Sequence, residues 1–528
     1  MMPRRKAPFI LIAATVIFGV GMAIMDQAIV NVAIPSIGGS LGATPDESGW
    51  VATGYVLGMM LVMPLNGFLT ARFGEKRYYL GAFGLFTLGS FLCGFCGSIW
   101  VLVAARLVQG MGAGALQPIS LSILLRNAPP ERRSDVLAAF SVASIFPFAM
   151  GPVIGGWILD NYTLSFPNWP MLFFFKVPLC IAGFILAAIV LPNEEPKRES
   201  AAPAIQWPAF LAMAGFLASL QYVLSEGQRA DWFDSKLILY LTIATVVLFA
   251  YFVWSQMRAT RPFVNMRVFR TTSFSVGCVL FVVFGFGFYG INLVTPLFFQ
   301  GPMRLTPFDS GVFLLQGTIA TCIITPFVGT ITRYVDVRLV LAFALGLFAI
   351  GAWLMGNLTG DAGSADIFWP RIWQGLALGM IFVPLISLTL AQVPAEYLSD
   401  ATGIATLVRY LGGNIGIALL EVMQVNRADA ALSSLAGNAN LGNPAVAHAV
   451  NVLGLPKTQA LLWGLIASNA GVVSYLYLFR VSAVLFLLTI PLLLLLPGPK
   501  RKPTVTQVLD EEEESLGVAP PATAGASR

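Results

Sequence analysis

Residues 25–37 read MDQAIVNVAIPSI and place Asp26, Gln27 and Asn31 within an apolar run that opens at Phe9. An ionised carboxylate at the centre of a membrane-spanning helix costs about 2.5–3.5 kcal/mol on insertion scales. Intramembrane acids are therefore functional candidates by position alone, and Asp26 is one. The alternative is a structural carboxylate that is satisfied by Asn31 or by a neighbouring helix.

The composition is that of a membrane protein. Hydrophobic residues make up 57% of the 528 residues and charged residues 11%, against roughly 45–50% and 25% in soluble chains. Runs of about 20 apolar residues, long enough to cross a bilayer, number fourteen. They lie near residues 9–30, 49–70, 78–98, 101–125, 136–159, 171–191, 207–225, 237–256, 273–298, 309–331, 339–357, 368–391, 401–425 and 471–496. We predict an all-α integral membrane protein.

The basic residues predict the orientation of the chain. With a cytoplasmic N-terminus, inner segments hold 21 of the 31 lysines and arginines and outer segments hold five. The positive-inside rule then predicts a multi-pass protein of the cell inner (cytoplasmic) membrane with both termini in the cytoplasm. Since these residues lie in short loops, the net charge of +5 does not indicate a nucleic-acid partner.

An internal repeat divides the chain. RLVQGMGAG at 106–114 recurs as RIWQGLALG at 371–379, and PLNG at 64–67 recurs as PFVG at 326–329. We predict six-helix bundles at 1–195 and 261–497, and two additional spans with linkers at 196–260. A long outer loop is expected at about 426–470 and a disordered cytoplasmic tail at 498–528. Such repeats place a binding site near the midplane, between the halves.

Several motifs resemble the major facilitator superfamily, in the fourteen-span drug:proton antiporter branch of the EmrB/QacA type. DQAIVNVAIP at 26–35 is similar to the signature of span 1, RLVQGMGAG to that of span 4, and TGIATLVRYLGGNIG at 402–416 to a stretch of span 13. The resemblance implies the major facilitator fold, with two six-helix bundles and two inserted central helices.

Two further motifs resemble gating elements of that family. GFLTARFGEKR at 67–77 resembles the loop between spans 2 and 3, although Ala71 replaces an acidic residue, so gating is expected to rely on Glu75 or on Asp336 of the second copy. FPFAMGPVIGGW at 146–157 resembles the antiporter motif of span 5, which favours export over uptake. The predicted gating and hinge residues are Gly67, Arg72, Gly74, Glu75, Arg77, Gly151, Pro152, Gly155, Gly156, Arg333 and Asp336.

Intramembrane polar residues provide the candidate sites. The guanidinium of Arg106 cannot lose its proton, so it holds either a carboxylate or backbone carbonyls. Lys176, at a position where the family usually has Asn, either lies within the membrane or extends to its surface. Proton coupling is predicted at Asp26, Arg106 and Glu421. The predicted substrate cavity comprises Asn31, Gln109, Lys176, Arg371, Gln374, Arg409 and Asn414.

These residues predict a proton-coupled exporter of lipophilic small molecules, with no enzymatic site, cofactor or metal. Two intramembrane acids against five bases favour neutral or anionic substrates over cations. The expected partners are the substrate, protons, membrane lipids and, in a cell with an outer membrane, a periplasmic adaptor. Proton-coupled uptake and a non-transporting sensor or assembly subunit remain the alternatives.

Overall fold

The computed structural model describes residues 8–129, 133–161, 168–192, 206–260, 262–305, 307–359, 362–437 and 455–495. The first half contains α1 Phe9–Leu41, α2 Pro45–Val62, α3 Asn66–Phe73, α4 Glu75–Cys93, α5 Ile99–Asn127, α6 Arg133–Asn161, α7 Met171–Phe174 and α8 Lys176–Val190. The inserted helices are α9 Trp207–Glu226 and α10 Lys236–Arg258. The second half contains α11 Thr272–Gln300, α12 Pro307–Tyr334, α13 Val337–Met355, α14 Ser364–Leu390, α15 Leu398–Gly437 and α16 Leu455–Thr489.

Each of the fourteen predicted spans coincides with a helix or a pair of consecutive helices. Twelve helical segments in the described residues are long and apolar enough to cross a membrane. The other two predicted spans are α4, which has 19 residues and begins with Glu75, Lys76 and Arg77, and α6, which has 29 residues. The all-α, multi-pass architecture predicted from the sequence is confirmed. The predicted tail at 498–528 lies outside the described residues.

Two spans are interrupted where proline removes a backbone donor. A 3-10 turn, Met63–Leu65, separates α2 from α3 around Pro64. In the sixth span the helix breaks at Phe175, between α7 and α8, and Pro178 follows three residues later. A proline has no N–H for the carbonyl four residues before it, so the break is expected at this point. It places Lys176 at the first position of α8.

The internal repeat of the sequence is also a repeat of helix packing. A Cβ added to Gly110 or Gly114 of α5 would collide with the backbone of Tyr55 or Met59 in α2. Gly375 and Gly379 of α14, 265 residues later, meet the backbone of Gly317 and Thr321 in α12 in the same way. Glycine permits this close approach of two helix backbones within a membrane. The two halves are thus built on the same helix-to-helix contact.

The predicted outer loop at about 426–470 is wrong in its bounds. Helix α15 continues to Gly437 and α16 begins at Leu455, so only 438–454 lie outside the described residues. With 40 residues, α15 is about 60 Å long, roughly twice the hydrocarbon thickness of a bilayer. Good helix formers in RADAALSSLAG, 427–437, continue the helix. Hydropathy detects only the part of a helix that lies within lipid.

The inserted helices lie on one side of the two bundles. Helix α9 packs on α10 and contacts both α2 and α15. Gln221 of α9 accepts a 2.6 Å hydrogen bond from Asn414 of α15, whose amide also approaches the sulfur of Met60 in α2 at 3.4 Å. Only 11% of the apolar part of α10 is buried inside the protein. Therefore α9 joins the two halves and α10 faces outward.

Candidate coupling site and substrate cavity

Asp26 lies in an ion cluster that is buried in the first half. One carboxylate oxygen pairs with a guanidinium nitrogen of Arg106 on α5, and the other pairs with the ammonium of Lys176 on α8. The three residues are 0%, 1% and 0% exposed. Removing an ion from water costs several kcal/mol unless close partners offset it. The chain tolerates Asp26 because two basic groups hold it.

A hydrogen-bond network fixes the orientation of Arg106. The guanidinium donates to the side-chain oxygen of Gln109 at 2.7 Å and to the backbone carbonyl of Val51 at 3.2 Å. Gln109 in turn donates to Ser90 at 2.7 Å. The ring of Tyr55 lies 4.1 Å from the guanidinium carbon. These contacts point the charged end of Arg106 at Asp26.

The structure decides between the alternatives left by the sequence. Arg106 holds both a carboxylate and a backbone carbonyl, and Lys176 lies inside the bundle rather than at the membrane surface. Gln109 and Lys176, predicted in the substrate cavity, belong to the ion cluster instead. Asn31 is exposed and does not satisfy Asp26. Glu421, also predicted in proton coupling, lies on α15, where it is exposed and has Arg229 as an electrostatic neighbour; its role in coupling stays a prediction.

Arg409 occupies the interface between the two halves. From α15 it donates 3.0 Å to the side-chain oxygen of Gln117 on α5 and 3.1 Å to the hydroxyl of Tyr289 on α11. It is 6% exposed. The guanidinium carbon lies 5.0 Å from the ring of Tyr410 and 5.7 Å from that of Phe382. No carboxylate among the described residues pairs with it.

Two small cavities, each of about 20 Å³, adjoin Arg409 and Gln117. Four aromatic side chains of α11 line them, namely Phe281, Phe284, Phe288 and Tyr289, whereas Phe286 packs against Gly416. Sequence reasoning missed Gln27, Gln117, Phe382 and Tyr410. The two glutamines carried a usable signal, because an amide within an apolar span is rare. The two aromatic residues carried none.

Helices α1 and α5 connect the ion cluster to these cavities. Asp26 of α1 faces the cluster, while the next residue, Gln27, lines the cavity beside Arg409. On α5, Arg106 holds Asp26 and Gln117 accepts the hydrogen bond from Arg409. A rotation or shift of either helix therefore changes both sites.

The second half contains a reduced copy of the ion cluster. Arg371 donates to the side-chain oxygen of Gln374 at 2.8 Å, as Arg106 does to Gln109. It also approaches the carbonyl of Leu314 at 3.5 Å. No acidic partner of Arg371 is present among the described residues. Arg371 and Gln374, predicted in the substrate cavity, do not line the two central cavities.

A larger apolar groove opens at the side of the bundle, with a volume of about 630 Å³. Met22 and Met25 of α1 form one wall, Phe146 and Pro147 of α6 another, and Pro326 of α12 completes it. Ile24 and Ile145, which lie beside these residues in α1 and α6, line the central cavity instead. The α1–α6 pair is thus a wall one helix thick between the groove and the cavity.

The halves meet at the end of the bundle where α5 ends and α4 and α15 begin. We call it the basic end, because Arg72, Arg77 and Arg126 lie there. Asn66 donates 3.0 Å to the carbonyl of Ser399, whose hydroxyl is 3.0 Å from that of Ser122. A Cβ on Gly67 would collide with the carboxylate of Asp400. The basic end is closed by these contacts between the halves.

Glu75 and Asp336, both predicted in gating, each make a contact within their own half. Glu75 pairs with Arg126 at 2.9 Å within the first half, and Asp336 caps α13 by accepting a 2.9 Å bond from the backbone N–H of Arg338. The first contact joins α4 to α5, and the second places Asp336 at the start of α13, where unpaired N–H groups attract a carboxylate. The gating role of both acids stays a prediction. Gly74, at φ 79°, makes the turn between α3 and α4.

The glycines of the span-5 motif pack α6 against α1. A Cβ on Gly151 or Gly155 would meet the backbone of Ile29, three residues beyond Asp26. Gly156 has open space around it. The side chains of Pro152 and Arg333 lie outside the described part of the chain. The motif therefore acts, in part, on the helix that carries the carboxylate.

Comparison with known proteins agrees with this geometry. The family model described as Major Facilitator Superfamily matches residues 16–417. The chain is 30% identical to multidrug export protein EmrB of Escherichia coli (strain K12), over 93% of this chain and 96% of that protein. It is 29% identical to fatty acid resistance protein FarB of Neisseria gonorrhoeae, over 80% and 82%.

A solved structure of the proton:xylose symporter XylE bound to 6-bromo-6-deoxy-D-glucose matches 95% of this chain and 98% of that chain, with a TM-score of 0.61 and 15% identity. At this identity the likeness shows the fold alone. The predicted fold and the predicted family are both confirmed. The chain belongs to the Major Facilitator Superfamily, within its EmrB-type branch, and is a transporter rather than an enzyme.

Proposed function

We propose that this protein is a proton-coupled multidrug exporter of lipophilic compounds, neutral or anionic. One observation carries the coupling: Asp26, fully buried and held by Arg106 and Lys176, lies with Arg106 on α1 and α5, the two helices that also line the central cavities. A carboxylate changes its affinity for a proton when basic neighbours move toward it or away from it. Substrate binding beside α1 and α5 therefore alters proton binding in the ion cluster around Asp26, and the reverse also holds.

The guanidinium of Arg409 supports the proposed class of substrate. Arg409 lies among aromatic rings without a carboxylate partner in the described residues, so an anionic or electron-rich group of a substrate can supply the missing charge. The rings provide the apolar contact that ligand sites require. The names of the relatives EmrB and FarB, a multidrug exporter and a fatty acid resistance protein, fit this chemistry.

The lateral groove supports entry from the lipid. Its volume falls within the ~300–1,000 Å³ typical of ligand pockets, and it lies one helix away from the aromatic cavity. A lipophilic molecule dissolved in the bilayer reaches the groove without crossing water. Movement of α1 relative to α6 then opens the way to Arg409.

The orientation and the accessory partner belong to this proposal. Both termini and the basic end face the cytoplasm, in keeping with the excess of lysine and arginine in those loops. The closed basic end then corresponds to a state that is shut toward the cytoplasm. In a cell with an outer membrane, a periplasmic adaptor binds where α15 and α16 extend beyond the bilayer.

The test is transport by the purified protein in proteoliposomes with an imposed pH gradient. A panel of lipophilic anions, neutral compounds and cations is offered to the wild type and to Arg409→Gln. We expect the compounds to accumulate by moving in the direction opposite to the flow of protons. Anions and neutral compounds should be transported in preference to cations. Arg409→Gln should lower anion transport about tenfold, as expected for loss of a charge-assisted bond, and should largely spare neutral compounds.

A matched control is Arg480→Gln, since Arg480 binds the carbonyl of Gly356 at 2.9 Å, away from the central cavities. Flux in the opposite direction would indicate uptake, and no flux of any compound would favour a non-transporting role. An equal loss of anion and neutral transport in Arg409→Gln would contradict the proposed role of this residue.

A further inference from the structure

The ion cluster contains one more basic group than acidic group. Asp26 supplies one negative charge, while Arg106 and Lys176 supply two positive charges when both are ionised. All three are fully buried, and no other acid among the described residues pairs with them. A buried charge without a partner carries a large desolvation cost. The cluster is therefore balanced when one basic group is neutral.

Only one of the two basic groups can become neutral. A guanidinium keeps its proton under all conditions relevant to proteins, whereas a lysine ammonium releases its proton readily when it is buried. If Lys176 loses its proton, Asp26 and Arg106 remain as a neutral ion pair. If Asp26 gains a proton instead, two buried cations are left with no counter-ion. Charge balance thus favours exchange at Lys176.

The surroundings of Lys176 supply no alternative proton carrier of the same kind. Asp26 on α1 touches it directly, and the ring of Phe173 on α7 lies 4.8 Å away. Cys180, one turn further along α8, is its other titratable neighbour. Cys93 on α4 and Tyr55 on α2 adjoin Arg106 instead. Thiols and phenols, with ordinary pKa values of about 8.5 and 10, are mostly neutral near pH 7.

We propose that Lys176 is the proton-exchanging residue of the cluster and that Asp26 stays ionised as its acceptor and as the counter-ion of Arg106. This inference rests on the proposed function and refines it. When the cluster is open to water on one side, the ammonium gives its proton to that water and becomes an amine, and Asp26 and Arg106 remain as an ion pair. When the cluster opens to the other side, the amine takes a proton from water, so one proton crosses per cycle.

The experiment compares Lys176→Arg, Lys176→Asn and the wild type as full-length protein in proteoliposomes and in detergent. Gradient-driven transport, its pH profile and proton release on substrate binding are measured, with a compound that the wild type transports. Lys176→Arg keeps the charge but cannot exchange it. We expect it to bind the compound and to lose at least about tenfold of the gradient-driven transport, together with proton release.

Lys176→Asn keeps the test valid if Lys176→Arg does not fold. It removes the proposed proton carrier, so proton release should disappear or its midpoint should move by at least about one pH unit. A wild-type pH profile and wild-type proton release in either variant would overturn the inference. Absence of transport by the wild type itself would overturn the proposed function instead, so the two failures are distinguishable.

Discussion

At the scale of single residues, the defining feature of this protein is a carboxylate that is kept inside the membrane. Asp26 contacts two basic side chains from α5 and α8, and none of the three is more than 1% exposed. Breaking a buried ion pair by removing one partner typically costs 3–5 kcal/mol. Such a cluster is expensive to keep, and the use that we propose for it is coupling of charge to conformation.

Two acids, Asp26 and Glu421, lie within the spans, and their substitution should have different effects on transport. Asp26→Asn should abolish gradient-driven transport, because the amide holds no charge and cannot respond to the movement of Arg106 and Lys176. Glu421→Gln is the matched control, since Glu421 is exposed and lies on α15 in the second half, whereas the cluster is in the first half. It should retain roughly the transport of the parent. Flux in proteoliposomes measures both variants.

Folding must be verified for Asp26→Asn, because the substitution leaves two basic groups without their acid. A monodisperse profile in size-exclusion chromatography and retained substrate binding establish that the protein is intact. Full transport by an intact Asp26→Asn, or equal loss in Glu421→Gln, would argue against a specific role of Asp26.

At the scale of helices, the repeat is built on glycine contacts. Gly375 of α14 lies so close to the backbone of Gly317 that a Cβ would collide with it, and Gly110 meets Tyr55 in the same manner. In contrast, Gly346 of α13 has nothing within 4 Å of the position of a Cβ. Helix packing therefore requires glycine at positions 110 and 375 but not at position 346.

Substitution by alanine should separate them. Gly375→Ala forces α12 and α14 apart and is expected to destabilise the protein by roughly 1–3 kcal/mol, the usual cost of overpacking. Gly346→Ala should be neutral or slightly stabilising, because alanine favours a helix by up to about 1 kcal/mol over glycine. Thermal unfolding in detergent measures both. A lower melting temperature for Gly346→Ala than for Gly375→Ala would contradict the packing.

The sequence predicted the helices better than it predicted their partners. The fourteen spans, the repeat and the importance of Asp26 and Arg106 follow from hydropathy, spacing and the rarity of charge in lipid. The contact of Lys176 with Asp26 does not, because it depends on how α1 and α8 pack, 150 residues apart in the chain. The continuation of α15 beyond its apolar part was missed because a polar helix in water has no hydropathy signal.

Whole-molecule behaviour depends on how the two halves meet. At the basic end Ser122 and Ser399 place their hydroxyls 3.0 Å apart, and Asn66 binds the backbone of Ser399. Rocking of two halves about a central site requires these contacts to separate once in each cycle. Helix α9 contacts both α2 and α15, so it belongs to the interface between the halves.

The whole-molecule prediction is a cross-link that holds the basic end closed. The variant Ser122→Cys with Ser399→Cys should form a disulfide on oxidation, because the two hydroxyl oxygens are already in contact. Transport should stop under oxidising conditions and return after reduction. Each single substitution serves as a control for the native cysteines, all of which are free among the described residues. Undiminished transport by the fully oxidised pair would mean that these contacts need not open.

The most direct measurement is proton release from the purified protein, in detergent and weak buffer, when a transported compound is added. The wild type and Glu421→Gln should release protons as the compound binds, and Asp26→Asn, while still binding it, should release none. Equal proton release from Asp26→Asn and from the wild type would contradict coupling through the buried cluster.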